Sequence, residues 1–133
     1  MPARIEIGLL LAVLLAVGCG TVSGPAPHSI THIVLMWMKH PERPGDRAQL
    51  IRGAQSLRVI PGVVKVEAGR TLPPASPTLP TGVDRSFDLA VVVRFRDRFA
   101  LDRFEQDPRR LAAVERYLRP LVRHYEVYNL GDR

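Results

Sequence analysis

The chain has 133 residues, 46% of them apolar, and a formal net charge of +6. This is enough apolar material for one packed domain and too much for a disordered tail. Seventeen arginines and two lysines carry the positive charge and are scattered with no basic run or interleaved aromatics, which argues against a nucleic-acid surface. The single cysteine, Cys19, excludes an internal disulfide.

In chain order, the first segment is an address. Residues 7–17 (IGLLLAVLLAV) form an uncharged apolar run behind Arg4. It is shorter than the roughly 20 residues that span a bilayer and has the length of a signal-peptide core. Ala16-Val17-Gly18-Cys19 resembles the lipobox of bacterial lipoproteins. That resemblance implies cleavage before Cys19, lipidation of its thiol, and a lipid-anchored protein of the cell envelope. Gly20 follows the cysteine in place of an inner-membrane-retaining Asp, so the outer membrane is the expected address. The division read from the sequence is a signal peptide at 1–18, a lipidated cysteine and flexible Pro- and Gly-containing tether at 19–29, and a folded domain at 30–130.

The domain opens with a strand over 30–39, where His32, Val34, Met36 and Met38 alternate with Ile33, Leu35 and Trp37. The Pro- and Gly-rich segment 40–45 predicts a turn. The spacing of Leu50, Ile51, Ala54 and Leu57 predicts a helix over 46–57, with Asp46 at its N-terminus as cap or dipole partner. Ile60-Pro61-Gly62-Val63 turns the chain into a half-exposed strand ending near Gly69. Residues 72–84 hold four prolines in thirteen positions and predict an irregular loop, either lid or slack. Residues 86–95 (SFDLAVVVRF) give the purest strand signal. Phe87, Leu89, Val91, Val93 and Phe95 form one face, and Asp88, Ala90, Val92 and Arg94 the other. A short helix over 97–106, a second from Pro108 to Pro120, and a last strand over 121–130 complete the domain.

Strand, helix, strand, strand, helix, strand is the ferredoxin-like split βαβ order, an α+β fold: four antiparallel strands with helices on one face. The first and third strands take the centre of that sheet, and both are apolar on both faces. Helices cover only one face. The economical cover for the other is a second copy, giving a homodimer whose sheets pack into an α/β barrel.

Thr31-His32-Ile33-Val34-Leu35, Ile60-Pro61-Gly62-Val63, Gly69-Arg70, residues 87–95, Asp107-Pro108 and Tyr125-Glu126-Val127 together resemble the stress-responsive dimeric α/β-barrel (Dabb) domain. The resemblance implies a homodimer with a ligand-sized cavity between sheet and helices. One plant branch of that family resembles a polyketide cyclase with two pocket histidines. His32 matches the first. Arg110 stands where the second would be, and a guanidinium cannot act as a general base, so the cyclase mechanism does not carry over.

His32 and Asp88 are the candidate catalytic pair, a general base and the carboxylate that orients it, brought together if the first and third strands run parallel. A structural pair at a strand end is the plainer alternative. Val34, Met36, Ala90 and Val92 are candidate lining for an apolar ligand, with Arg94 at the end of the same face to hold an acidic group. Arg109-Arg110 near a helix start would also suit an anion, or else be solvated. The remaining histidines show no metal-ligand spacing, and no phosphate loop or Cys-x-x-Cys calls for a cofactor. Three functions stay open: binding of a small apolar or amphipathic molecule, a cyclase-, lyase- or monooxygenase-like enzyme using His32, and a homodimeric protein-interaction module.

Overall fold

A computed structural model describes residues 28–74 and 82–131. The signal peptide, Cys19, most of the tether and the middle of the Pro-rich loop lie outside the described residues. Four strands, β1 (Ile30–Met38), β2 (Val63–Gly69), β3 (Leu89–Phe95) and β4 (Val122–Gly131), form one sheet in the order β2-β3-β1-β4. Every pairing is antiparallel. The predicted order of elements and the central position of β1 and β3 hold.

Helix α1 (Pro44–Ser56) begins two residues earlier than the periodicity suggests, because Pro44 fits the first turn, where its missing N–H costs nothing. Asp46 lies in that first turn and favours the dipole, but no side chain caps the helix. The chain leaves α1 through one 3-10 turn and then Ile60-Pro61-Gly62-Val63, closed by Val63 N–H donating to the Ile60 carbonyl at 3.1 Å. Gly62 has φ +89°, the left-handed conformation that the third position of this turn demands. A Cβ there would also lie 2.5 Å from the Ala100 Cβ.

Helix α2 (Arg98–Glu105) is capped by Asp97, whose Oδ1 accepts from Ala100 N–H at 2.8 Å. Its apolar stripe of Ala100, Leu101 and Phe104 is buried, and Phe99 points outward. Helix α3 (Pro108–Ala113) starts on Asp107, which caps Arg109 N–H at 2.8 Å. It continues through a π-helical turn over Val114–Leu118 and a final turn over Arg119–Leu121. Pro120 has no N–H to return to the helix, so ordinary helical bonding cannot continue through it.

The helices lie on one face of the sheet, over Met36, Met38, Val66, Leu89, Val91, Val93 and Phe95, all of them buried. At about 1.5–3 kcal/mol for each large apolar side chain removed from water, this layer is the main stabilising element of the fold. The other face carries Ile33, Leu35, Trp37, Ala90 and Val92. All five are only half-buried, and no described element covers them.

Candidate functional site

The register decides which residues meet. β1 and β3 pair antiparallel with His32 opposite Val93, Val34 opposite Val91 and Met36 opposite Leu89. Directly opposed residues share a face. His32, Val34 and Met36 therefore lie with Val91 and Val93, under the helices. Ala90, Val92 and Arg94 are opposite Leu35, Ile33 and Thr31, on the open face.

The predicted ligand set is thus divided. Val34 and Met36 line a cavity between sheet and helices, whereas Ala90 and Val92 belong to the uncovered apolar face. Arg94 is exposed there, opposite Lys65 of β2. Near it, Glu67 is held below the ordinary carboxylate range, chiefly by the Lys65 hydrogen bond and also by the Arg94 charge. The sequence reading grouped His32, Val34 and Met36 with Asp88, Ala90, Val92 and Arg94 because it matched like-placed residues of two strands taken as parallel, and the antiparallel register parts them.

The same register separates His32 from Asp88. Asp88 immediately precedes β3, at the end of the ladder where Met36 pairs with Leu89. Asp88 is level with Trp37, five residue steps along β1 from His32, roughly 17 Å at about 3.4 Å per residue. Asp88 instead closes the end of β1. Its Oδ2 accepts from Met38 N–H at 2.8 Å, and its own N–H donates to the Met36 carbonyl at 2.9 Å. The β1–β4 register slips between Trp37 and Met38, and the carboxylate serves the backbone at that irregularity.

The partner of His32 is Asn129 on β4, directly opposite it in the β1–β4 ladder. His32 Nδ1 lies 2.6 Å from Asn129 Oδ1. With the carbonyl oxygen toward the ring, Nδ1 carries the hydrogen and donates it, which leaves Nε2 as the basic nitrogen. Phe95 and Phe104 pack edgewise on the imidazole, with ring centroids 6.2 and 6.0 Å away. The side chain is only 5% exposed and is the one buried polar residue among those described. Burial pushes its pKa below the ordinary 6.5. The Asn129 hydrogen bond and the Glu105 charge oppose that shift, and the Arg110 charge adds to it. The result is a neutral imidazole with a fixed tautomer.

The cavity beside it has a volume of about 300 Å³. Its floor is His32, Val34, Met36, Val91 and Val93. Its roof is Leu50, Gly53 and Ala54 of α1 with the π-helical turn. Gly53 is required here, because a Cβ would fall 2.6 Å from Cγ of Tyr117. π-helical turns recur at functional sites, and this one brings Val114, Glu115, Tyr117 and Leu118 to the wall. Arg110 completes the wall near His32, and Arg119 lies farther along, paired with Glu115 at 3.0 Å.

Sequence reasoning missed Asn129, although the signal was present. Antiparallel pairing of the first and last strands sets the start of one against the end of the other, so His32 must face a residue near 129. Tyr117 gave no signal, because its place depends on the π-helical turn.

The architecture is shared with solved structures. A Dabb family protein with a ferredoxin-like fold from Mesorhizobium loti is 22% identical at a TM-score of 0.62, over 79% of this chain and 97% of that one. Hydroxynitrile lyase from Passiflora edulis is 21% identical at 0.65, over 80% and 95%. SnoaB, a cofactor-independent oxygenase from Streptomyces nogalater, is 18% identical at 0.57, over 80% and 94%. At these identities the likeness shows the fold alone. No functionally curated protein is recognisably similar in sequence. The family model described as the Stress responsive A/B Barrel Domain matches residues 30–130, the whole of the folded domain, and the chain belongs to that Dabb family.

Proposed function

We propose that this protein binds a small, mostly apolar molecule between its sheet and its helices, and that His32 acts on it as a general base. One observation carries the reading: a buried, neutral imidazole, oriented by Asn129, stands on the apolar floor of a cavity of about 300 Å³. An imidazole kept neutral with one nitrogen tied down is poised to take a proton at the other. That a hydroxynitrile lyase and a cofactor-independent oxygenase share the fold is consistent with chemistry at this place. A native mass spectrum of the protein purified from its own host tests the binding half, and a retained small molecule is expected. Turnover of that molecule tests the other half. His32→Gln should bind it within about threefold of wild type and lose roughly a hundredfold or more in rate, the usual contribution of a general base. A bare protein would count against the cavity, and an unchanged rate against His32.

The open face supports a second element of the reading, a homodimer. Ile33, Leu35, Trp37, Ala90 and Val92 make a contiguous half-buried apolar patch on central strands. A structural neighbour from Thermobifida fusca, 19% identical at a TM-score of 0.62, is described as dimeric. The anchor belongs to the proposal too. Among the described residues no helix is long and apolar enough to cross a membrane. Lipid on Cys19 would hold the protein at the envelope, most simply the outer membrane. Incorporation of a palmitate analogue, lost in Cys19→Ser, is the expected result.

A further inference from the structure

Two cations stand in the cavity wall, and they are not equivalent. Arg119 is neutralised by Glu115 at 3.0 Å. Arg110 is half-buried and has no carboxylate within ion-pairing distance among the described residues. Its Nη1 reaches only the Glu105 main-chain carbonyl, at 3.4 Å. Its neighbour Arg109 is committed elsewhere, to Asp107 at 2.7 Å, and holds that carboxyl at about 2. The family resemblance that sets a histidine at position 110 offers no role for this guanidinium.

A half-buried guanidinium at the edge of an apolar cavity has lost part of its water and gained no counter-charge. Building on the binding reading above, we infer that the ligand is amphipathic and carries one carboxylate, held by Arg110 while its apolar body fills the cavity beside His32. The fork of the guanidinium matches a carboxylate through two parallel N–H···O bonds. A more highly charged group fits less well. Among the described residues Arg110 is the one cation in the cavity wall without a carboxylate partner, and Glu105, whose charge acts on His32, lies near enough to repel a dianion. The volume also limits the ligand to about the size of an aryl or short acyl carboxylic acid.

The test compares 4-phenylbutyrate with its neutral counterpart 4-phenylbutan-1-ol, both titrated into the full chain in detergent. The chain has three methionines, of which Met36 lies in the cavity floor, so a ¹³C-methyl label there reports occupancy of this cavity and no other. Wild type should bind the carboxylate at least about tenfold more tightly than the alcohol, as expected of a charge-assisted pair that is partly withdrawn from water. Arg110→Gln should remove the preference and leave affinity for the alcohol unchanged. Arg110→Lys should keep part of it, and Arg109→Gln all of it. Equal binding of both compounds by wild type overturns the inference and leaves the cavity reading intact. So does a preference that survives Arg110→Gln. Titrations in which neither compound moves the Met36 methyl overturn both.

Discussion

A buried imidazole held neutral must make stability depend on pH. Burial lowers the pKa of His32 below the 6.5 it has when exposed. The unfolded chain therefore takes up a proton at a pH where the folded chain does not. Stability from this source is fully present above pH 6.5 and is lost as pH falls from there through the lower, folded value. The loss runs at no more than about 1.4 kcal/mol per pH unit, over the window from about pH 6.5 down to the lower, folded value. The comparison is wild type against His32→Gln, unfolded in urea and followed by Trp37 fluorescence, with protein concentration fixed because association also stabilises. The difference between the two stabilities should shrink or change sign on acidification in that window. The carboxylates shifted by the fold contribute in the same direction but at lower pH. Glu67, Asp84, Asp97, Asp107 and Glu126 are all held below their ordinary values, so their stabilisation goes as pH falls below about 4.5. Parallel curves for the two proteins between about pH 5 and about pH 7.5 would refute the buried, neutral state and with it the general base.

Three further outcomes follow from the packing. Asp88→Ala should cost about 1–3 kcal/mol by leaving the buried Met38 N–H without its acceptor, yet leave turnover of any identified substrate unchanged; a loss of rate with no loss of stability would restore Asp88 to the chemistry. Gly53→Ala should destabilise the wild type through overpacking against Tyr117, where three ring and Cβ contacts would fall between 2.6 and 2.9 Å. In a Tyr117→Ala background the two ring contacts are gone and only the Cβ contact at 2.9 Å stays, so the same change should cost less than in the wild type, and an equal cost in both backgrounds would mean that the ring does not occupy that place. Leu35→Asp, on the open face, should convert the proposed homodimer to a monomer in sedimentation while keeping the far-ultraviolet spectrum, and a wild type that sediments as a monomer would overturn the dimer.

Most of the fold was legible because it depends on periodicity and punctuation. The alternation of Leu89, Val91, Val93 and Phe95 marks a buried strand whatever packs on it, and all four are buried. Pro61-Gly62, Asp97 and Asp107-Pro108 mark the turns and helix starts for local steric reasons, and each does so in the structure. The site was less legible because it depends on register, and register is a property of pairs of strands. Once β1 and β3 are antiparallel, every even-numbered residue of one shares a face with odd-numbered residues of the other. That single fact moves His32 beneath the helices, sends Ala90, Val92 and Arg94 to the open face, and turns Asp88 from a catalytic partner into a cap for the end of β1.

The corrected register also gives the two faces of the central strands separate tasks, which a single mixed face would have confounded. On the helix side, the two groups given chemical roles in the cavity are individually placed: His32 by Asn129 across the β1–β4 ladder, and Arg110 by the helix that starts on Asp107. On the open side, the central residues are apolar, with Lys65, Glu67 and Arg94 at the margin; in the proposed homodimer such a rim of charge would exclude wrong partners at little cost to affinity. An apolar patch that formed both ligand cavity and dimer seam would tie ligand binding to dissociation. In the proposed homodimer the sheet would stand as a wall between them. A change on the open face can reach the site only through the backbone of β1 and β3. Dimer-breaking and ligand-blocking substitutions should therefore act independently, Leu35→Asp altering association and Arg110→Gln altering ligand preference, with their effects additive in the double variant.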